Sequence, residues 1–385
     1  MKIVHVIIAA VYKEGFGYQE NILPAKHVEL GFDTYIVSCN KEHPKGVDYV
    51  NQDGIKVALL PINKPKFAKF KYSALFSKKT KGLYNYLEKQ SPDIIFVHGL
   101  QAIDILEVCN WCKKNNNVKL YVDQHADYYN SPINKLSTRL YFKIVFGYIA
   151  KRLSKYTLKF WGVTPWRVDY LQNVYGIKRE KTDLLVMGGD ERLIDWDNRS
   201  IIKKQIRDRY NIPQDAFLII SGGKIDKTKN IHLLIDAVEK IKNSNAYLLV
   251  FGNMTDDMKE YCTPKFKDNI RYAGWIDSKQ VYPLFLASDL AVFPGTHSVL
   301  WEQAIACGLP GIFKDWDGGF SHVDCGGNAI LIKDITEGNI EQEIRYLIDN
   351  KLIYKRMKDI AENRARETFL YINIAKKAIG IGETI

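Results

Sequence analysis

The chain has 385 residues, 46% hydrophobic and 26% charged, with a formal net charge of +11 at pH 7. That length exceeds what one core fills and predicts two domains. No run reaches 18 apolar residues, which excludes a transmembrane helix. The excess positive charge implies an anionic partner: nucleic acid, a membrane surface or a phosphorylated substrate.

Strand and helix signals alternate from the start. KIVHVIIAA is a first strand. It runs into the glycine loop of Gly15 and Gly17 and lacks the small-residue cleavage site of a signal peptide. A helix follows through Ala25 to Leu30. Further strands are read at 33–40, 56–62, 93–99, 119–129, 160–165 and 183–190. Six cysteines include one CxxC, Cys109 and Cys112, in a helical stretch. With no second pair there is no zinc site, and a reducing compartment is expected. A polar linker and a short helix follow Asp190. The pattern then restarts with strands at 216–223, 247–253, 269–275 and 290–293. Two more follow as GIFKD and NAILIKD, and the chain ends in helices from Ile340 to Asn350 and from Tyr354 to about Lys377. Strands alternating with helices in both halves predict two doubly wound parallel domains facing a ligand cleft.

The stretch AVFPGTHSVLWEQAIACGLP, 291–310, organises the second half. A buried strand ends at Pro294 and Gly295. Thr296 and Ser298 are N-cap candidates for a helix through Ala306, which Gly308 and Pro310 stop. Glu302 lies in its first turns, on the face pointing back toward the strand end, so a carboxylate stands beside free backbone amides at a strand's carboxyl end. The amides suit phosphate and the carboxylate suits sugar hydroxyls. A second loop, SGGKIDKTKN, carries Gly222 and Gly223 for a sharp turn and the cations Lys224 and Lys229, a combination suited to a diphosphate. Neither GxxxxGK[ST] nor GxGxxG is present, so it is not a Walker loop or a dinucleotide fingerprint. The plainer alternatives are an ordinary strand–helix unit and a solvated lysine-rich turn.

Gly223, Lys224, Ile225, Lys229 and Asn230, followed in order by YLLVFGN, NIRYAGW, LASDLAVFP and WEQAIACGLP, resemble glycosyltransferase family four. The likeness is close over the C-terminal half and fainter over the N-terminal half, through the Gly15–Gly17 loop, His125 and DLLVMGGD. It implies a GT-B fold with an acceptor domain at 1–190, a nucleotide-sugar domain at 191–370 and a tail, 371–385, crossing back to the first domain. It implies a metal-independent transfer from a UDP- or GDP-linked sugar, with no cofactor beyond that substrate. Lys224 and Lys229 would hold the diphosphate and Glu302 the ribose hydroxyls. The amides of Ser298 and Val299 would add phosphate contacts, and Gly274 and Trp275 would flank the base. Gly17 would close over the donor, and His125 would lie near the transferred sugar. Lysine stands where the family has arginine at 224, which keeps the charge and loses the bidentate fork. The first of the family's two glutamates is missing: Pro294 stands eight positions before Glu302, and Thr296 or His297 fills the space. Retention of configuration is the family expectation.

Residues 63–89 carry eight lysines and one acid, and no acid occurs between Asp127 and Asp169. Aromatic and aliphatic residues interleave with these cations over 63–89 and 134–160. That pattern suits a helix on an anionic membrane surface, with solvated lysines around a core as the alternative. The expectation is a cytoplasmic protein, peripheral at the inner face of the cytoplasmic membrane, with a glycan or lipid-linked acceptor in bacterial surface polysaccharide synthesis. No nucleic-acid-binding signature accompanies the charge, so no nucleic-acid partner is expected. The competing readings are a catalytically silent binding module and a nucleotide-sugar hydrolase or epimerase on the same fold. His98 and His322 read as structural, and His125 and Asp127 as candidate helpers of catalysis.

Overall fold

A computed structural model of the chain describes residues 1–10, 12–63, 79–128, 140, 142–241 and 245–382. It divides into two compact units, Met1–Leu185 with Ala375–Ile385, and Val186–Ile374.

The first unit is built on an eight-stranded sheet in the order β3-β4-β2-β1-β5-β6-β7-β8. Its strands are β1 (Lys2–Ile7), β2 (Asp33–Ser38), β3 (Val47–Val50), β4 (Lys56–Leu59), β5 (Ile94–His98), β6 (Lys119–Gln124), β7 (Thr157–Gly162) and β8 (Thr182–Leu184). All ladders are parallel except β3 with β4. Central strands such as β1 and β5 are buried almost throughout, as in a parallel sheet covered on both faces. Val4, Val6, Ile95 and Val97 enter one core, and Ile7 and Ile36 a second. Each such side chain contributes roughly 1.5–3 kcal/mol on burial.

The strand β3 has no counterpart in the sequence reading, because it is an exposed edge of four residues without an apolar run. The first helix also differs from expectation. It spans Gln19–Glu29, with Pro24 inside it, rather than starting near Ala25. Pro24 removes one amide from the helix, while tertiary contacts bury Gln19, Ile22, Leu23, Lys26 and His27.

The second unit carries a six-stranded parallel sheet in the order β11-β10-β9-β12-β13-β14. The strands are β9 (Phe217–Gly222), β10 (Ala246–Phe251), β11 (Ile270–Tyr272), β12 (Leu290–Phe293), β13 (Gly311–Lys314) and β14 (Ala329–Ile332). The polar stretch after Asp190 becomes the helix Arg199–Arg209. Its Arg207 is fully buried and donates to the carbonyls of Pro213, Gln214, Ala216 and Ala287 and to Asp289 Oδ2 at 2.7 Å. A buried guanidinium is tolerable only with its donors satisfied in this way. Near the C-terminus, the helix Lys351–Ile360 continues through a wider turn, Ala361–Ala365, to Thr368. The long terminal helix expected from sequence is broken there. Gly189 N donates to Phe369 O at 2.9 Å, and Tyr371 N donates to Gly189 O at 3.1 Å. A last helix then covers Tyr371–Ala378.

Candidate functional site

Strands β9 and β12 are neighbours, yet the chain leaves them in opposite directions. β10 and β11 lie beyond β9, and β13 and β14 beyond β12. The loops after two such strands diverge and leave a crevice at their carboxyl ends. The two loops singled out from sequence, 223–230 and 294–299, stand at this point.

Gly223 opens the first loop in a left-handed conformation, φ +106°, and its N–H donates to Phe251 O at 3.1 Å. Ile225 N donates to Asn253 O at 2.8 Å, which ties the loop to the end of β10. Asp226 Oδ1 accepts from Thr228 N at 2.9 Å and Thr228 Oγ1 at 2.6 Å, and so caps the turn Lys227–Lys229. Asn230, at φ 54°, leads into the helix Ile231–Lys240, and its Nδ2 donates to Pro294 O at 3.0 Å. Thr296 N donates to Thr228 O at 3.0 Å, so the loops are bonded to each other. Their approach leaves no space for a side chain at Gly295, where a Cβ would stand 2.3 Å from the Cα and carbonyl carbon of Lys229. Gly295→Ala is therefore expected to push the loops apart at a cost of about 1–3 kcal/mol. It should show as a lowered Tm; an unchanged Tm would mean the loops part freely.

The two cations of the first loop differ in setting. Lys224 is 70% exposed, with Nζ 3.2 Å from Asp226 Oδ2. Lys229 is partly buried, and its Nζ donates to Thr296 O at 2.7 Å and His297 O at 3.2 Å. Burial, reinforced by the Lys224 charge and opposed by Asp226, lowers its proton affinity. An ammonium has three donors, so one remains for a ligand after these two carbonyls.

Glu302 is fully buried. The helix that carries it is Leu300–Ala306, with Val299 rather than Thr296 or Ser298 at the N-cap. Ser298 Oγ lies 3.4 Å from Leu300 N. Oε1 of Glu302 accepts from His297 Nε2 at 2.7 Å and His322 Nε2 at 3.0 Å, while Oε2 has no partner among the described residues. Burial opposes ionisation, but His297 and His322 outweigh it and hold the carboxyl at about 2. The His297 ring stacks on Phe320 at 4.3 Å and meets Trp301 edge-on at 5.1 Å. His322, read from sequence as structural, thus touches a site residue directly. One signal pointed to it: GGFSHVDCGG follows β13, and loops after parallel strands line ligand crevices. The ligand atoms of His297, Glu302 and His322 lie within 4.8 Å of one another, a donor set that a divalent cation accepts. Trp275, expected near the base, is 64% exposed beyond β11. Gly223, Lys224, Lys229, His297, Ser298, Val299 and Glu302 all stand on the loops and helix following β9 and β12.

Gly17 and His125 belong to the first unit. Gly17 lies in the segment before the helix Gln19–Glu29, just after the turn at Glu14 and Gly15. His125 follows β6, with Nε2 3.4 Å from Asp123 Oδ2 and a side chain 29% exposed. Burial lowers and Asp123 raises its proton affinity, and the net shift is upward. Asp127, two residues on, accepts from Arg167 Nε at 3.1 Å. A cavity of about 660 Å3 opens near the ends of β1, β2 and β4, lined by Tyr12, Lys13, Glu14, Phe16, Glu42 and Tyr49 among others. Of the basic stretches, 64–78 and most of 129–141 lie outside the described residues. In the part that is described, Leu140, Ile144 and Tyr148 recur every fourth residue and are 57%, 58% and 53% exposed. Lys143, Lys151, Arg152 and Lys155 are exposed beside them. No helix among the described residues is long and apolar enough to cross a membrane.

Residues 202–366 match the family described as Glycosyl transferases group 1. The lipopolysaccharide core biosynthesis glycosyltransferase LpsE of Rhizobium meliloti is 27% identical over 152 residues, 38% of this chain and 44% of that protein. The chain thus matches less than half the length of that relative. Among solved structures, a glycosyltransferase from Rickettsia africae superposes with a TM-score of 0.71 at 18% identity, covering 99% of this chain and 97% of that one. Anabaena HepE in complex with UDP superposes at 0.67 with 14% identity, covering 98% of each chain. The fold is GT-B, and the resemblance to group 1 glycosyltransferases read from the sequence holds.

Proposed function

We propose that this chain, with a group 1 glycosyltransferase segment at 202–366, transfers a sugar from a UDP- or GDP-linked donor to a glycan or lipid-linked acceptor. We assign the donor to the unit Val186–Ile374 and the acceptor to the unit with the 660 Å3 cavity, whose aromatic rings and carboxylates suit a saccharide. The observation that carries the reading is the meeting of two loops at the β9–β12 switch point, with Lys229 fixed between them. Cleaving the sugar–diphosphate bond develops negative charge on the leaving phosphate. A preorganised cation and loop amides stabilise that charge more than they stabilise the ground state. With retention, the leaving phosphate takes the acceptor's proton on the same face, and no protein base is needed. HepE was solved with UDP, and LpsE is described as an enzyme of lipopolysaccharide core synthesis. Both favour a nucleotide-sugar donor and a role in bacterial surface polysaccharide synthesis here.

The rival reading is a silent binding module, favoured by Pro294 where the family has its first glutamate. Incubating the protein with a panel of nucleotide sugars and saccharide acceptors separates the two. Transfer, or slow donor hydrolysis, supports the enzyme. Nucleotide binding without turnover supports the module. No nucleotide binding at all removes both.

We assign the acceptor's location to the inner face of the cytoplasmic membrane, reached through the exposed apolar and basic residues around 140–155. Sedimentation with anionic vesicles should be strong at low salt and weaken as salt screens the lysines, each worth about 1 kcal/mol near the surface. Ile144→Glu should weaken it about tenfold, by removing one apolar side chain from the interface and adding a like charge. Equal partitioning of the variant would place the membrane contact elsewhere or remove it.

A further inference from the structure

Three buried histidines join into one hydrogen-bonded chain in the unit Met1–Leu185 with Ala375–Ile385. His5, on β1, is 0% exposed and sits at the centre. Its Nδ1 lies 2.9 Å from His98 Nε2, and its Nε2 lies 2.9 Å from His27 Nδ1. The chain ends on acceptors at both sides. His98 Nδ1 is 3.0 Å from Asp123 Oδ2, and His27 Nε2 is 3.0 Å from Ala375 O.

The number of protons follows from these four links. Each needs one proton. A carbonyl oxygen supplies none, a carboxylate supplies none, and three neutral imidazoles supply three. With three protons, one link sets two lone pairs against each other at hydrogen-bond distance, inside a core where an unmade bond is expensive. We infer that the chain binds one proton more than three neutral imidazoles carry, held at its Asp123 end as a carboxylate–imidazolium pair with His98. His98 then donates from both nitrogens. His5 accepts at Nδ1 and donates from Nε2, and His27 does the same toward Ala375 O. Asp123 Oδ1 takes the Gly99 amide at 3.1 Å, which leaves Oδ2 for the rings.

The Asp123 carboxylate, bonded to His98 Nδ1 at 3.0 Å, places the extra proton at that end. Burial drives His5 well below the ordinary histidine range, and His27 and His98 add to this. Burial likewise brings His27 down to about 4, against the bond to Ala375. Asp123 stays ionised despite burial because His98 and His125 hold it well below the carboxylate range. His125 faces Asp123, Glu20 and Arg167 act on His125, and buried Lys26 on the helix of His27 pairs with Glu29 at 3.0 Å. Phe96 and Phe32 cover the rings. The bond that ties Ala375 to His27 therefore exists in full only while the proton is bound. Anchoring of the C-terminal segment and the charge balance of the carboxylate facing His125 become one equilibrium, independent of any transfer reaction.

Ring-nitrogen NMR of the full-length protein, labelled at histidine, tests this at about pH 7.5, where an unperturbed imidazole is neutral. Wild type should show His98 protonated on both nitrogens. His27→Gln keeps an acceptor toward His5 and a donor toward Ala375, so His98 should stay doubly protonated. His27→Leu removes both needs, so His5 can turn its proton to Nδ1 and His98 should become neutral. The unfolding equilibrium gives a second readout should the leucine variant be poorly resolved. The folded chain holds a proton that unfolded imidazoles release at this pH, so wild-type stability falls as pH rises. The unfolding constant should change tenfold per pH unit more steeply than in His27→Leu while the chain stays protonated. Three singly protonated rings in wild type, or a doubly protonated His98 in His27→Leu, would overturn the proposal.

Discussion

Lys229→Ala is expected to abolish the thermal shift produced by nucleoside diphosphates and to lower kcat/KM for donor about 100- to 1,000-fold, close to the loss of one oxyanion-hole donor. Two effects add. The side chain bridges the loops after β9 and β12 through the carbonyls of Thr296 and His297. On the proposed function, its remaining N–H and its charge would meet a phosphate in a partly buried setting, where electrostatic interactions are less screened than in water. Lys224→Ala should cost far less, because that ammonium is 70% exposed and its pairing with Asp226 is of the weak, solvated kind. Calorimetric titration of UDP and GDP against both variants orders them. If Lys224→Ala loses binding and Lys229→Ala keeps it, Lys229 is only a strut between loops and the diphosphate lies further out.

Much of this architecture is legible in the sequence because a parallel sheet buries its strands on both faces. LAVF at 290–293 and FLIISG at 217–222 are apolar runs closed by glycine or proline, and both form strands. The signal fails where burial is absent, as in the edge strand Val47–Val50, which is mostly exposed. It also fails where tertiary contact overrides local chemistry. The sequence reading begins the first helix only near Ala25, and the observed helix starts at Gln19 and runs through Pro24. The loops that form the site are legible from glycine and lysine types and from their position after strands. The setting of Glu302 is not. Helical spacing puts it near the N-terminus, but its burial depends on His322, twenty residues on, and on the aromatic rings around His297. The histidine chain is further still from local pattern. His5, His27 and His98 each occupy an ordinary place in their own element, and only the β1–β5 pairing and the helix packed on it bring the rings together.

Glu302 carries the second large expectation. In Glu302→Ala the His297 and His322 N–H groups lose their shared acceptor inside a closed aromatic pocket, and a cavity replaces the carboxylate. Breaking a buried, hydrogen-bonded charge cluster by removing one partner costs about 3–5 kcal/mol, which in a chain of this size lowers Tm by roughly 10 °C. Glu302→Gln keeps an oxygen that accepts from both rings, so it should recover the packing and hydrogen-bond part of that loss but not the contribution of the charge. Linkage sets the pH dependence. The folded carboxyl is held at about 2, below its unfolded value. Its stabilisation is therefore complete above the ordinary carboxylate range and is lost as pH falls through that range toward 2, on the order of 3 kcal/mol in all. Thermal melts of wild type and Glu302→Gln across acid pH should converge as the wild type loses this contribution. Parallel curves would show that the charge of Glu302 contributes nothing and that only its shape matters. The same variants address the ligand. Among the described residues Oε2 of Glu302 has no partner, and a ribose hydroxyl that displaced part of the pocket would bond there. A glutamine variant that is fully folded at neutral pH yet binds nucleotide at least tenfold more weakly would assign Oε2 to the donor. Unchanged affinity would confine Glu302 to holding His297 and His322 in place.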